Sequence, residues 1–120
     1  MTPDQFESAV LAAFAEPVTT FGLKHIETRV HTPECWVVLA GTGVQVVVHL
    51  ELDRDVWTVL VRTDAKGLVV QEVGLDYISE RLMAPAPSIE ARLKDQAERV
   101  TRSASSLLRG DLNAWGRLSQ

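Results

Sequence analysis

Apolar positions along this chain change their spacing twice. Phe6, Val10, Ala13 and Phe14 recur at the three- to four-residue spacing of a helix. From about residue 18 to residue 63 the spacing falls to two, the period of strands with one buried face. From Ile89 through Leu93, Ala97, Val100, Ala104 and Leu107 the helical period returns. The pattern predicts an α+β fold: an antiparallel meander of four strands, or five, packed on one face by an N-terminal helix and C-terminal helices.

The punctuation between these runs places the elements. Thr2-Pro3-Asp4-Gln5 spells a capping box with proline at the first helical position, and the helix it opens is expected to end before Pro17. Phe21 and Leu23 alternate at odd positions, then Ile26, Thr28 and Val30 at even ones, so a bulge is expected near Lys24 and His25. Thr32-Pro33 breaks the run, Cys35 to Ala40 is a short apolar strand, and Gly41-Thr42-Gly43 is a turn. In the next strand Val44, Val46, Val48, Leu50 and Leu52 share one face, and Gln45, Val47, His49, Glu51 and Asp53 share the other. A two-residue loop at Arg54-Asp55 would set Leu52 opposite Trp57, Leu50 opposite Val59 and Val48 opposite Val61. Asp64-Ala65-Lys66-Gly67 is the next turn, with Leu68-Val69-Val70 as a short fifth strand. A short helix from Asp76 to Met83 and a rigid Pro85-Ala86-Pro87 connector follow. Ser88 then caps a helix of about 22 residues, about 33 Å long. Gly110 fits its C′ position, and Asp111 caps a last helix through Leu112, Trp115 and Leu118.

With 120 residues, 46% hydrophobic and 23% charged, the chain has the size and composition of a single globular domain spanning 1–120. One cysteine, Cys35, cannot make an internal disulfide, which fits a reducing compartment. The N-terminus has no basic stretch ahead of an apolar one, and runs such as Val46-Val47-Val48 are far short of a membrane span. A soluble, cytoplasmic protein without a membrane partner is expected. Residues 1–56 carry 8 acidic and 3 basic groups, which disfavours a nucleic-acid partner.

Catalytic and metal-binding chemistry finds little footing. His31 and Cys35, with His25 and His49 across strands, lack the paired spacing of a zinc site, so neither a metal nor another cofactor is expected. Cys35 opens an apolar strand beside Glu34, a setting that raises a thiol pKa and does not suit a nucleophile. Gly41-Thr42-Gly43 lacks the lysine and the strand-to-helix context of a phosphate loop. Arg109-Gly110-Asp111 reads as a helix end followed by a cap. Asp53 and Asp55 flank a hairpin tip with no cleft. Glu90 with Lys94, Asp95 with Arg99 and Glu98 with Arg102 stand four apart, acid first, and read as a solvated, locally neutral face.

The second sheet face is different. A Thr42-Gly43 loop sets Trp36 opposite His49 and Val38 opposite Val47, with Leu60 beside His49 on the neighbouring strand. A three-residue loop would instead turn Trp36 inward, and the sequence leaves both open. In the first register Trp36, Val38, His49 and Leu60 form the centre of a half-apolar, charge-rimmed surface that resembles a protein interface. At the level of fold alone, the layout resembles small bacterial secretion chaperones and toxin-neutralising immunity proteins. The expected function is therefore a non-enzymatic, acidic interaction module of immunity-like or chaperone-like kind. A small-molecule binder or enzyme with a pocket between helix and sheet is the alternative, and a structural homodimer is the third reading. Polar residues interrupting the buried face would favour the pocket; none is expected on Val44–Leu52 or Trp57–Val61.

Overall fold

A computed structural model describes residues 1–51, 55–79 and 88–118. Helix α1 (Pro3–Ala13) starts as its first residues dictate. Thr2 Oγ1 accepts from Gln5 N at 3.2 Å, and Gln5 Oε1 accepts from Thr2 N at 2.8 Å. Phe6, Val10 and Phe14 are fully buried. The chain does not turn extended at Pro17. A second helix, α2 (Ala15–Phe21), carries that proline in its first turn, where the missing N–H has no helical partner to lose. The alternation expected from residue 18 is thus a helical turn, closed by Gly22 at φ 64°.

Five strands follow in sequence order: β1 (Lys24–His31), β2 (Glu34–Ala40), β3 (Val44–Glu51), β4 (Asp55–Thr63) and β5 (Val69–Gly74). They form one antiparallel sheet, β1-β2-β3-β4-β5. The bulge lies between His25 and Glu27, one residue beyond the parity switch. The β2–β3 hairpin turns on Thr42-Gly43, with Gly43 at φ 70°, and pairs Trp36 with His49 and Val38 with Val47. Trp36 therefore faces away from the helices.

The β3–β4 register differs from the expected one. Glu51 pairs with Asp55, Leu50 with Val56, Val48 with Thr58 and Val46 with Leu60. The shift is odd, so every β4 side chain changes face. Val56 and Leu60 enter the core fully buried, while Trp57 pairs with His49 and is 39% exposed. Both faces of β4 are apolar, so alternation did not distinguish them; packing did. Thr58 is accommodated inside because its hydroxyl donates to Gln96 Oε1. Leu52, Asp53 and Arg54, on which the expected loop rested, lie outside the described residues.

The remaining helices are α3 (Leu75–Ile78), α4 (Ile89–Ser103), α5 (Ser105–Leu108) and α6 (Leu112–Arg117). The second half of the expected 76–83 helix and the Pro85-Ala86-Pro87 connector lie outside the described residues. Ser88 caps α4 through Ala91 N. The expected long helix breaks at Ala104, which takes φ −108° and ψ 8° and hands the chain to α5. The apolar stripe survives this break: Leu93, Ala97, Val100, Ala104 and Leu107 are all buried. Gly110 at φ 79° and Asp111, accepting from Asn113 N and Ala114 N, divide α5 from α6 as expected. Trp115, 1% exposed, donates its indole N–H to Leu107 O at 2.9 Å, while Leu112 stays exposed. The core joins α1, α4 and α5 to Val37, Leu39, Val46, Val48 and Leu60 of the sheet. No described helix is long and apolar enough to cross a membrane.

Candidate functional site

Alternation leaves a second set of side chains on the outer face. Trp36 and Val38 come from β2, Val47 and His49 from β3, and Val59 and Val61 from β4. They floor a groove of about 500 Å³ that runs across the strands, from Ile26 and Arg29 on β1 to Val69 and Glu72 on β5. Every residue lining it belongs to a strand or to the turn before β5. Val38 and Val61 are only 5% and 3% exposed, because flanking side chains shield them, whereas Ile26 and Val69 stand out at 53% and 60%. Aliphatic groups at this density are uncommon on a solvated sheet face.

At the centre the His49 ring stacks on Trp36, centroids 4.5 Å apart and planes 8° from parallel. His49 Nε2 lies 3.5 Å from Glu34 Oε1. That is close enough for attraction when the imidazole is protonated, but Nε2 makes no hydrogen bond among the described residues. Charge is distributed unevenly around the groove. Arg29 Nε donates to Glu27 Oε1 at 3.0 Å, neutralising the β1 end. Glu34 and Glu51 lie on one long side and Glu72 at the β5 end; Lys24 and Lys66 lie at the opposite strand ends.

Three of the four residues expected at the centre come together here: Trp36, Val38 and His49. Leu60 does not. It is fully buried between sheet and helices, a consequence of the β4 face exchange, and Val59 and Val61 occupy the outer positions instead. Ile26 also joins the surface, turned outward by the bulge. The apolar character of 59 and 61 was visible in the sequence, but their side of the sheet depended on a register the loop chemistry did not specify.

The sheet separates His49 from the cysteine, while His25 shares the cysteine's side. Cys35 is 2% exposed on the helix side. His49 lies on the outer side, and His25 contacts Glu7 of α1 at 3.4 Å. Among the described residues no three His, Cys, Asp or Glu side chains converge on a metal-sized site. Burial first, and the Glu7 carboxylate second, push the Cys35 thiol above its ordinary value. Glu7 takes the role expected of Glu34, since adjacent strand residues point to opposite faces.

The helix–sheet interface is more polar than the sequence implied. Gln96 Nε2 donates to Val56 O at 2.6 Å while Gln96 accepts from Thr58. Arg99, expected on a solvated face, has a side chain only 2% exposed. It meets Asp76 Oδ1 at 2.6 Å, Asp95 Oδ2 at 3.4 Å and Ser79 Oγ at 3.1 Å, and also donates to Ser79 O. Arg99 thus ties α3 to α4.

Compared with known protein families, curated proteins and solved structures, the chain matches none.

Proposed function

We propose that this chain is a non-enzymatic, acidic, single-domain module of the cytoplasm that binds a protein partner through its outer sheet face, in the manner of an immunity protein or a secretion chaperone. The observation that supports this is the groove floored by Trp36, Val38, Val47 and Val59, which no described helix covers. A tryptophan set in aliphatic neighbours and rimmed by charge has the composition of an interface centre. The carboxylates around it repel nucleic acid and anionic membrane surfaces alike. No cofactor enters this reading.

One observation favours a pocket between helix and sheet: Thr58, Gln96 and Arg99 interrupt the buried face. It weighs less. Both ends of the Gln96 amide are engaged within the protein, and the adjoining cavity, lined by Thr58, Leu75 and Gln96, holds only about 110 Å³. Small-molecule sites usually span roughly 300–1,000 Å³.

The test is to isolate the protein with its bound partners from cells that make it, alongside Trp36→Ala and Val59→Arg variants. Partners should be lost from both variants while both still unfold cooperatively, within about 10 °C of the parent. Retention of the same partners by both would sink the proposal.

A further inference from the structure

Resting on that reading of the outer face, we infer that the partner element it takes is a short basic amphipathic helix, laid across the strands with its Lys/Arg flank toward Glu34 and Glu51. Three features of the groove lead there.

The first is backbone accounting. Strands β2, β3 and β4 each have two neighbours, so their peptide groups are committed within the sheet. An extended segment lying on this face would set its own N–H and C=O groups on an aliphatic floor that offers no partners. A helix arrives with its peptide hydrogen bonds already made. It would also add a third layer to a sheet whose described helices pack on one side.

The second is shape. The groove crosses all five strands, a distance of about 19 Å at the usual strand spacing, which about 13 helical residues would span. Its volume of about 500 Å³ is a hollow that asks for a convex occupant. A second copy offering the same hollow would leave both unfilled.

The third is charge. Glu72 lines the β5 end of the groove, and Glu34 and Glu51 stand just beyond its lining, where β2 begins and β3 ends. Lys24 and Lys66 occupy the other side, and Arg29 is held by Glu27. A helix with cations on one flank only is therefore both attracted and oriented. Its apolar stripe would meet Trp36, Val47 and Val59.

Fluorescence anisotropy on the full chain tests this with a labelled alanine-based peptide of about 14 residues, carrying a leucine stripe at helical spacing and lysines on one flank. It should bind with a Kd on the order of 10 µM. Replacing its lysines by glutamates, or interrupting it with a central proline, should weaken binding by at least about ten-fold. Glu34→Lys with Glu51→Lys in the protein should reverse the preference between lysine and glutamate peptides. Ile26→Arg and Val59→Arg should each abolish binding; Ile26 is exposed enough that its variant will fold. Absence of saturable binding up to about 1 mM overturns the inference. So does equal binding by the proline peptide, which would mean an extended partner, or binding indifferent to both arginine variants. Concentration-dependent dimerisation of the protein, lost in Val59→Arg, would name a second copy as the occupant instead. Partner capture that depends on Trp36 while the peptide fails would keep the interface and discard the basic helix.

Discussion

The indole of Trp36 and the imidazole of His49 lie face to face across the β2–β3 hairpin, 4.5 Å between centroids, on the side of the sheet away from the helices. The pair reports where the two faces divide. Stacked aromatic pairs add about 0.5–1.5 kcal/mol beyond the area they bury. That stabilisation belongs to the hairpin and not to the core.

Truncating Trp115 and Trp36 should separate these contributions. Trp115→Ala empties a fully buried site and should cost about 3–5 kcal/mol. Trp36→Ala loses a stack and half-buried area and should cost about 1–2 kcal/mol. Denaturant unfolding of both variants checks the order. Equal costs would mean that Trp36 packs inside.

The β3–β4 register has its own test. Leu50→Ala and Leu60→Ala each remove a buried side chain, 2% and 0% exposed, and should each cost about 2–5 kcal/mol. Val59→Ser, on the outer face, should cost about 1 kcal/mol or less. If Val59→Ser proved the more damaging of the β4 changes, Leu60 would be outside and the pairing of Leu50 with Val56 wrong.

Arg99 offers a prediction with a sign. Asp76→Ala together with Asp95→Ala strands a guanidinium whose side chain is 2% exposed, and should cost about 3–5 kcal/mol. Adding Arg99→Met removes the uncompensated charge and should recover part of that loss. Thermal melts of the double and triple variants decide it; further destabilisation in the triple variant would count against a buried ion cluster.

The Cys35 thiol carries a pH dependence. Burial and Glu7 raise its folded pKa above the ordinary 9.0. Below that pH the thiol is protonated whether the chain is folded or not, and its effect on stability is constant. As pH rises past it the unfolded chain releases the proton first, so stability falls until the folded thiol also ionises. Cys35→Ala should flatten the loss of stability above about pH 9, and Glu7→Gln should reduce it by lowering the folded pKa. Urea midpoints measured across that range would show no difference between parent and Cys35→Ala if the thiol were solvated.

Local chemistry was legible in the sequence wherever neighbouring residues decide the outcome. The Thr2–Gln5 capping box, the Gly43 turn, the Gly110–Asp111 helix boundary and the α4 stripe are all set by groups within a few residues of one another. The order of strands followed too, since short connections leave consecutive antiparallel strands little choice but to pair. Three of the four residues expected at the centre of the outer face lie there because the β2–β3 hairpin took the Thr42-Gly43 loop, one of the two that the sequence left open. What the tertiary structure decided was which of two apolar faces goes inward. Strand β4 carries Val56 and Leu60 on one side and Trp57, Val59 and Val61 on the other, and hydrophobicity cannot choose between them. The choice was made by Gln96, 38 residues away, which accepts the Thr58 hydroxyl and makes that face buriable. Arg99 was settled in the same way, by Asp76 of α3 and by Ser79, which follows that helix. A partner distant in sequence satisfied a polar group, and that is information no local pattern contains.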